Sequence, residues 1–243
     1  MKLPLVATMW TTVCVTLLTA ACTPPDPPPP RPARKAVKVP EGEGGQADDP
    51  QAKQAARTDG LTGGKVVFEE HFDGAEVSDK WLVRQPGEWH IVDGWLKSER
   101  VADENQRNQG VWLQMPLPKK TRVTFKSRSM SKAGDTKCEI FNTEPRHEQG
   151  YSVIFGGWNN TTNAIARKGE HELNRRNQSE PPKVEPGRTY TWTIVRNDGV
   201  VRWYIDGKFM VAYDDAAPVD GNFFGFNNWA SDLRFDDVTV YEL

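Results

Sequence analysis

The chain has 243 residues, 31 Lys/Arg against 33 Asp/Glu, and a formal net charge of −2. Residues 1–60 hold seven Lys/Arg and six Asp/Glu, which leaves 24 against 27 for the rest. No strong positive field exists to attract nucleic acid, which argues against that partner class. Of the three cysteines, Cys14, Cys22 and Cys138, only Cys138 falls in a foldable stretch; the domain has no internal disulfide, and no Cys/His spacing resembles a zinc site.

Met1-Lys2 is followed by an uncharged, mainly apolar run that ends at Cys22. A short positive start, an apolar centre and small residues before a cleavage point describe an export signal over residues 1–21. Leu18-Thr19-Ala20-Ala21-Cys22 resembles a bacterial lipobox, with Thr19 where the usual leucine stands. The resemblance implies a lipid on Cys22. Thr23 after it, in place of an Asp, favours the outer membrane. Cleavage after Ala21 without lipid, or an uncleaved anchor helix near the spanning minimum of about 20 residues, are the alternatives. Residues 22–62 cannot build a core. TPPDPPPPRP is Pro-dense and extended, and EGEGGQADDPQAKQAARTDG is Gly-rich and charged, so the stretch is expected to be a disordered tether.

The remainder, residues 63–243, reads as short strands. Lys65–Glu70 is the first. Lys80–Val83 and Glu88–Val92 follow, and Asp93-Gly94 turns the chain into Trp95–Ser98. Residues 101–109 are polar and read as a loop. Val111–Leu113 resumes, and Pro116 and Pro118 break it. Thr121–Arg128 alternates cleanly, with Val123 and Phe125 on one face. Cys138–Asn142, Gly150–Gly156 and Asn163–Arg167 are further strands, separated by the polar turn 158–162. Residues 168–188 are charged and contain three prolines, so they read as a long loop. Thr189–Tyr213 is a three-stranded meander closed by Asn197-Asp198-Gly199 and Asp206-Gly207, the latter fitting a type I′ turn. Tyr190, Trp192 and Ile194 share one face of it, as do Val201, Trp203 and Ile205, and Phe209, Val211 and Tyr213. Asn222–Asn228 and Leu233–Tyr241 complete the set, with a bulge expected at Asp236-Asp237. No stretch shows helical periodicity. About a dozen short strands between Gly/Asn/Asp turns predict an all-β antiparallel jelly-roll sandwich.

Two elements resemble a known family. Glu88-Trp89-His90-Ile91-Val92-Asp93-Gly94-Trp95-Leu96 is similar to the W-x-(I/V)-x-D-G-x-L element near the start of the 3-keto-disaccharide hydrolase-like domains. The run from Thr191-Trp192 to Tyr204-Ile205-Asp206-Gly207-Lys208 is similar to their later W…D-G element. The ending Leu233–Val240 resembles the closing strand of concanavalin A-like lectin/glucanase sandwiches. The resemblance covers roughly residues 64–243 and implies that fold; many lectins, hydrolases and adhesive modules share it, so it does not choose an activity.

The retaining glucanases of this sandwich use an E-x-D-x-E strand, with carboxylates about 5–5.5 Å apart. This chain has no such run. Cys138–Asn142 offers Glu139 alone as a catalytic candidate, with Asp103 and Glu104, or Glu144 and Glu148, as remote second carboxylates; Asp135 reads as a turn residue. A binding groove is better supported. Gly225, Asn227 and Trp229 share a face, with Gly225 leaving room for a ligand, and Trp158, Asn159, Arg167, His171 and Glu139 complete a polar and aromatic set suited to sugar stacking. Most of the nine tryptophans are expected in the core. No cofactor is required; Asp73 and Asp237, joined if the first and last strands pair, are the candidates for a structural calcium. The expectation is a membrane-tethered carbohydrate-binding module, periplasmic or surface-exposed. A glycoside hydrolase using Glu139, Arg167 and His171, and a structural lipoprotein with a protein partner, are the alternatives.

Overall fold

The computed structural model describes residues 58–84, 89–99, 108, 110–178 and 182–243. The leader, Cys22, the tether up to residue 57, Asp103 and Glu104 lie outside the described residues; residues 58–62, expected to be disordered, are instead packed on the sandwich, where Arg122 and Val195 meet Gly60. Among the described residues no helix is long and apolar enough to cross a membrane.

The strands, in chain order, are β1 (Lys65–Glu70), β2 (Trp81–Val83), β3 (Trp89–Val92), β4 (Trp95–Ser98), β5 (Val111–Leu113), β6 (Thr121–Ser129), β7 (Thr136–Asn142), β8 (Tyr151–Gly156), β9 (Thr162–Arg167), β10 (Arg176–Asn177), β11 (Thr189–Asn197), β12 (Val200–Ile205), β13 (Lys208–Asp214), β14 (Phe223–Asn227) and β15 (Leu233–Glu242). They form two antiparallel sheets. Sheet I runs β13-β12-β11-β6-β15-β4-β3, with β1 also on β15; sheet II runs β10-β9-β8-β7-β14-β5-β2. The architecture is an all-β jelly-roll sandwich.

Side chains alternate across each strand, so each sheet gives one face to the core. Sheet I contributes Val123, Phe125, Trp192, Trp203, Phe235 and Val240; sheet II contributes Ile140, Val153, Phe155, Ile165, Phe224 and Phe226. The aromatic rings form a continuous stack: Trp203 on Trp192 at 5.0 Å, Trp192 on Phe125 at 5.1 Å, and Phe226 on Phe235 at 4.0 Å. Among the described residues, five of the eight tryptophans are buried, as expected. The Trp192 indole N–H donates to Ser127 Oγ at 2.7 Å, so its one polar atom is satisfied inside. Cys138 is a buried free thiol, its pKa pushed up by burial and by the neighbouring Glu139 charge.

Asp-Gly pairs close three two-residue hairpins. Asp93-Gly94, Asp198-Gly199 and Asp206-Gly207 all have positive φ at both positions, which Asp and Gly tolerate at little cost. Two expectations are corrected. The stretch 168–188 is not wholly loop, because Arg176 and Asn177 pair with Ile165 and Ala164. Phe209 does not share the core face. A register shift in β13 carries Met210 into the core instead, and Phe209 packs edge-on to Tyr204 on the outer face, 5.6 Å away. The turn at 158–160 is also unusual: Trp158, Asn159 and Asn160 all take left-handed φ. The bulge at Asp236-Asp237 is present; one extra residue lies between Asp236 and Thr239 relative to β6.

Residues 58–64 lie on the outer face of sheet I. The Arg122 guanidinium donates to Gly60 O at 3.0 Å and Gly63 O at 2.7 Å, and its charged plane covers the Tyr241 ring at 3.9 Å. A Cβ on Gly64 would meet Glu242 O at 2.8 Å, so only glycine allows this segment to come so close to β15.

Candidate functional site

The site is built on β7, the centre of sheet II. Cys138 and Ile140 point into the core, so parity sends Asp135, Lys137 and Glu139 to the outer face. Neighbouring strands complete two rows there. Glu139 lies between Ser152 of β8 and Gly225 of β14; Lys137 lies between Ile154 and Asn227.

Glu139 is fully buried. Its carboxylate accepts hydrogen bonds from His147 Nδ1 at 2.6 Å, Ser152 Oγ at 3.0 Å and Asn142 Nδ2 at 3.2 Å. His147 sits above it, 17% exposed, with Nε2 3.8 Å from both Glu148 and Glu170. Burial alone would lower the His147 pKa. The Glu139 hydrogen bond and charge, with Glu170 beyond, outweigh burial and the Lys137 charge, and hold it above the ordinary value. Lys137, 2% exposed, donates to both Glu170 oxygens at 3.1 and 3.4 Å. Burial works against its ammonium, but Glu170, Asp135 and Glu139 together raise its pKa. Asp135 goes the other way: burial pushes its carboxyl up, so its neutral form is favoured relative to an exposed aspartate.

Above this floor lies a depression of about 610 Å³. Asp135, Lys137, His147, Glu148 and Glu170 line its base, and the indoles of Trp158 and Trp229 border it. Trp229 is 45% exposed, rare for so large an apolar group here. The left-handed turn presents Trp158 and Asn159 to the depression. His171 packs edge-on to Trp158 at 5.6 Å and Arg175 covers that ring at 4.3 Å, so the indole is held in place.

Among the expected residues, Trp158, Asn159, His171 and Trp229 come together around this depression. Glu139 and Asn227 lie beneath its floor. Asn227 Nδ2 donates to Asn108 O at 3.0 Å, while Oδ1 of Asn227 and Oδ1 of Asn108, both buried, meet no donor among the described residues. Arg167 is elsewhere. It follows Ile165 at an interval of two, so it shares the core-facing side. There its Nε donates to Asp215 at 2.7 Å, and the Tyr151 hydroxyl, its pKa pushed up to about 12 chiefly by burial, donates to the same carboxylate at 2.6 Å. Gly225 leaves no room for a ligand, because the Trp112 indole fills it: a Cβ there would meet Trp112 Cε3 at 2.7 Å. Asp135 is not merely a turn residue but part of the base. Its alternation with Lys137 and Glu139 is legible in the sequence. His147 and Glu170 come from turns, and no periodicity marks them.

Metal fit was tested at two places. The first and last strands pair, yet the Asp237 carboxylate is taken by Lys126 Nζ and by His71 Nδ1 at 2.8 Å, so cations of the chain already occupy it. Asp73 adds only long-range charge to His71. Among the described residues, one group of three metal-capable donors exists: Glu139, His147 and Glu170, within 4.8 Å of one another. Its lone pairs are committed to the internal hydrogen bonds above and to the Lys137 ammonium. The donor sets as they stand do not fit a divalent cation.

A family described as Farnesoic acid 0-methyl transferase matches residues 134–237, the stretch from β7 into β15. No curated protein matches in sequence. Solved structures share the fold. One, described under endo-acting O-glycanases of the human gut microbiota that initiate mucin breakdown, is 16% identical with a TM-score of 0.57, over 74% of this chain and 100% of that one. A β-glucanase of Bacillus licheniformis is 11% identical with a TM-score of 0.56, over 75% and 100%. A laminarinase from a Flavobacterium species is 12% identical with a TM-score of 0.55, over 73% and 100%. At these identities the similarity is one of fold.

Proposed function

We propose that this chain is a carbohydrate-binding module of the cell envelope: a leader over residues 1–21, a lipid on Cys22, a polar tether to residue 62, and a sandwich that presents the depression on sheet II to a glycan, on the outer membrane. The observation that carries the binding role is the pair of indoles, Trp158 and Trp229, bordering a depression floored by buried polar groups. Sugars stack their apolar faces on indoles and hydrogen-bond through hydroxyls. The Oδ1 atoms of Asn108 and Asn227, buried at the floor and without a donor among the described residues, are acceptors that a water bridging to sugar hydroxyls would satisfy. Carbohydrate-active neighbours of the same fold support this reading. A glycan array with the full chain tests it. Trp158→Ala and Trp229→Ala, folded by circular dichroism, are expected to lose binding by about tenfold or more each; full retention in both removes the depression as the site, and an array without hits favours a protein partner.

A hydrolytic reading, of the 3-keto-disaccharide type, is favoured by one observation: Asp135 with its raised pKa shares the depression with His147. Glu139 is too enclosed to touch substrate. In this reading His147 transfers the proton, Glu139 orients the imidazole, and Asp135 is the acid. The assay is cleavage of 3-keto-glycosides by His147→Gln and Asp135→Asn; turnover unaffected by both excludes it.

A further inference from the structure

The outer face of sheet I carries a feature the depression does not use. His90 pairs with Lys97, Lys97 with Arg234, and Arg234 with Arg128, across four adjacent strands. Their neighbours Ile91, Leu96, Phe235 and Ser127 turn inward, so the three Lys/Arg side chains and the His90 imidazole stand on the outer side. Strands are about 4.8 Å apart, so the row spans about 14 Å, with a Lys or Arg on three successive strands and an imidazole on the fourth. Like charges placed directly opposite destabilise a sheet. A row of them is a cost to the free protein unless an anion lies over it.

The protein supplies one such anion itself. Glu99, at the end of β4 and more than half exposed, forms an ion pair with Lys97. The Lys97 hydrogen bond and charge, then the charges of His90 and Arg234, hold its carboxyl below the ordinary range. The row therefore already receives a carboxylate at one end. At the other end Arg128 is fixed: Nε and Nη2 donate to Thr189 Oγ1 at 3.1 and 2.8 Å, and its guanidinium covers the Trp95 ring at 4.6 Å. Arg234 Nε, buried between them, meets no acceptor among the described residues. The next row is balanced internally, since Lys126 pairs with Asp237 and lies opposite Asp236. On that side the excess positive charge stops at this one line.

We propose that this line is a second glycan site, which takes the carboxylates of a linear acidic polysaccharide running across the strands of sheet I. Its cationic groups are half-buried and held in place along one row, which suits a polymer with charges on successive units better than a lipid surface. Glu99 occupies part of the track when no polymer is present and is displaced by it. The site is on the opposite sheet from the depression and does not depend on it.

The test is binding of the full-length chain to polygalacturonate, by affinity electrophoresis and calorimetry, with a neutral β-glucan as control and phosphatidylglycerol vesicles as a separate arm. The wild type is expected to bind polygalacturonate with an affinity that falls as salt rises. Arg128→Gln/Arg234→Gln should lose about tenfold or more. Glu99→Gln should bind several-fold tighter, because the internal competitor is gone; a purely structural row would not give that sign. Trp158→Ala/Trp229→Ala should bind polygalacturonate as the wild type does, so failure here and failure of the depression are distinguishable. No retention of the wild type, indifference to the double variant, or weaker binding by Glu99→Gln overturns the proposal. So does variant-sensitive capture by the vesicles in place of the polymer. Should the double variant not fold, Glu99→Gln still decides.

Discussion

Burial sorts the charged residues of sheet II into distinct jobs. Glu139, the carboxylate most visible in the sequence, is enclosed by His147, Ser152 and Asn142 and acts through the imidazole above it. That pair links stability to pH. The folded His147 pKa is raised, so its stabilising contribution is complete below the unfolded value near 6.5 and is lost as pH rises through the folded value. Melting temperature should therefore fall on going from pH 6 to above pH 8, and Glu139→Gln should flatten the change. The groups facing the ring, Glu139, Glu148, Glu170, Lys137 and Asp135, stay constant in that comparison except for the one substituted. Arg167→Ala should separate in the opposite way. It leaves the Asp215 carboxylate without its guanidinium, with only the Tyr151 hydroxyl and Ala217 N–H as donors, and should cost about 1–3 kcal/mol in urea unfolding, with glycan binding unchanged. Arg167 also shows what the sequence does and does not disclose. Its parity with Ile165 places it inward, whereas composition alone groups it with the other polar residues. His147 could not be found this way, because a turn has no alternation to read.

β7 and β14 show how an element's register decides chemistry. The alternation Asp135, Lys137, Glu139 follows directly from Cys138 and Ile140 facing the core, and it turns one strand into a line of charge. β14 gives the counterexample. Its period-two pattern correctly sends Phe224 and Phe226 inward and Gly225 outward, but nothing in the pattern tells that Trp112 on β5 covers the glycine. Gly225→Ala should cost about 1–3 kcal/mol, read as a lower urea midpoint, because its Cβ would also meet Val111 O at 2.6 Å. The three Asp-Gly hairpins were legible because their backbone requirement is local. The shift in β13 that exchanges Phe209 for Met210 was not, because it is set by cross-strand packing.

At the scale of the molecule, the aromatic stack from Trp203 through Trp192 and Phe125 to Phe226 and Phe235 welds the two sheets. Trp192→Ala should cost about 3–5 kcal/mol, visible in calorimetry, since it opens a cavity in that stack and strands the Ser127 hydroxyl. This sandwich was the most legible feature of the chain, because strand parity and turn chemistry repeat over 180 residues and errors in single strands do not change the sum. The grip of Arg122 on Gly60 and Gly63 sets a compass bearing for the whole body. Residues 58–64 lie on the side away from the indoles, and Leu243 ends against Gly60 on that same side. Both described ends of the sandwich therefore lie behind its mouth, which neither of them covers.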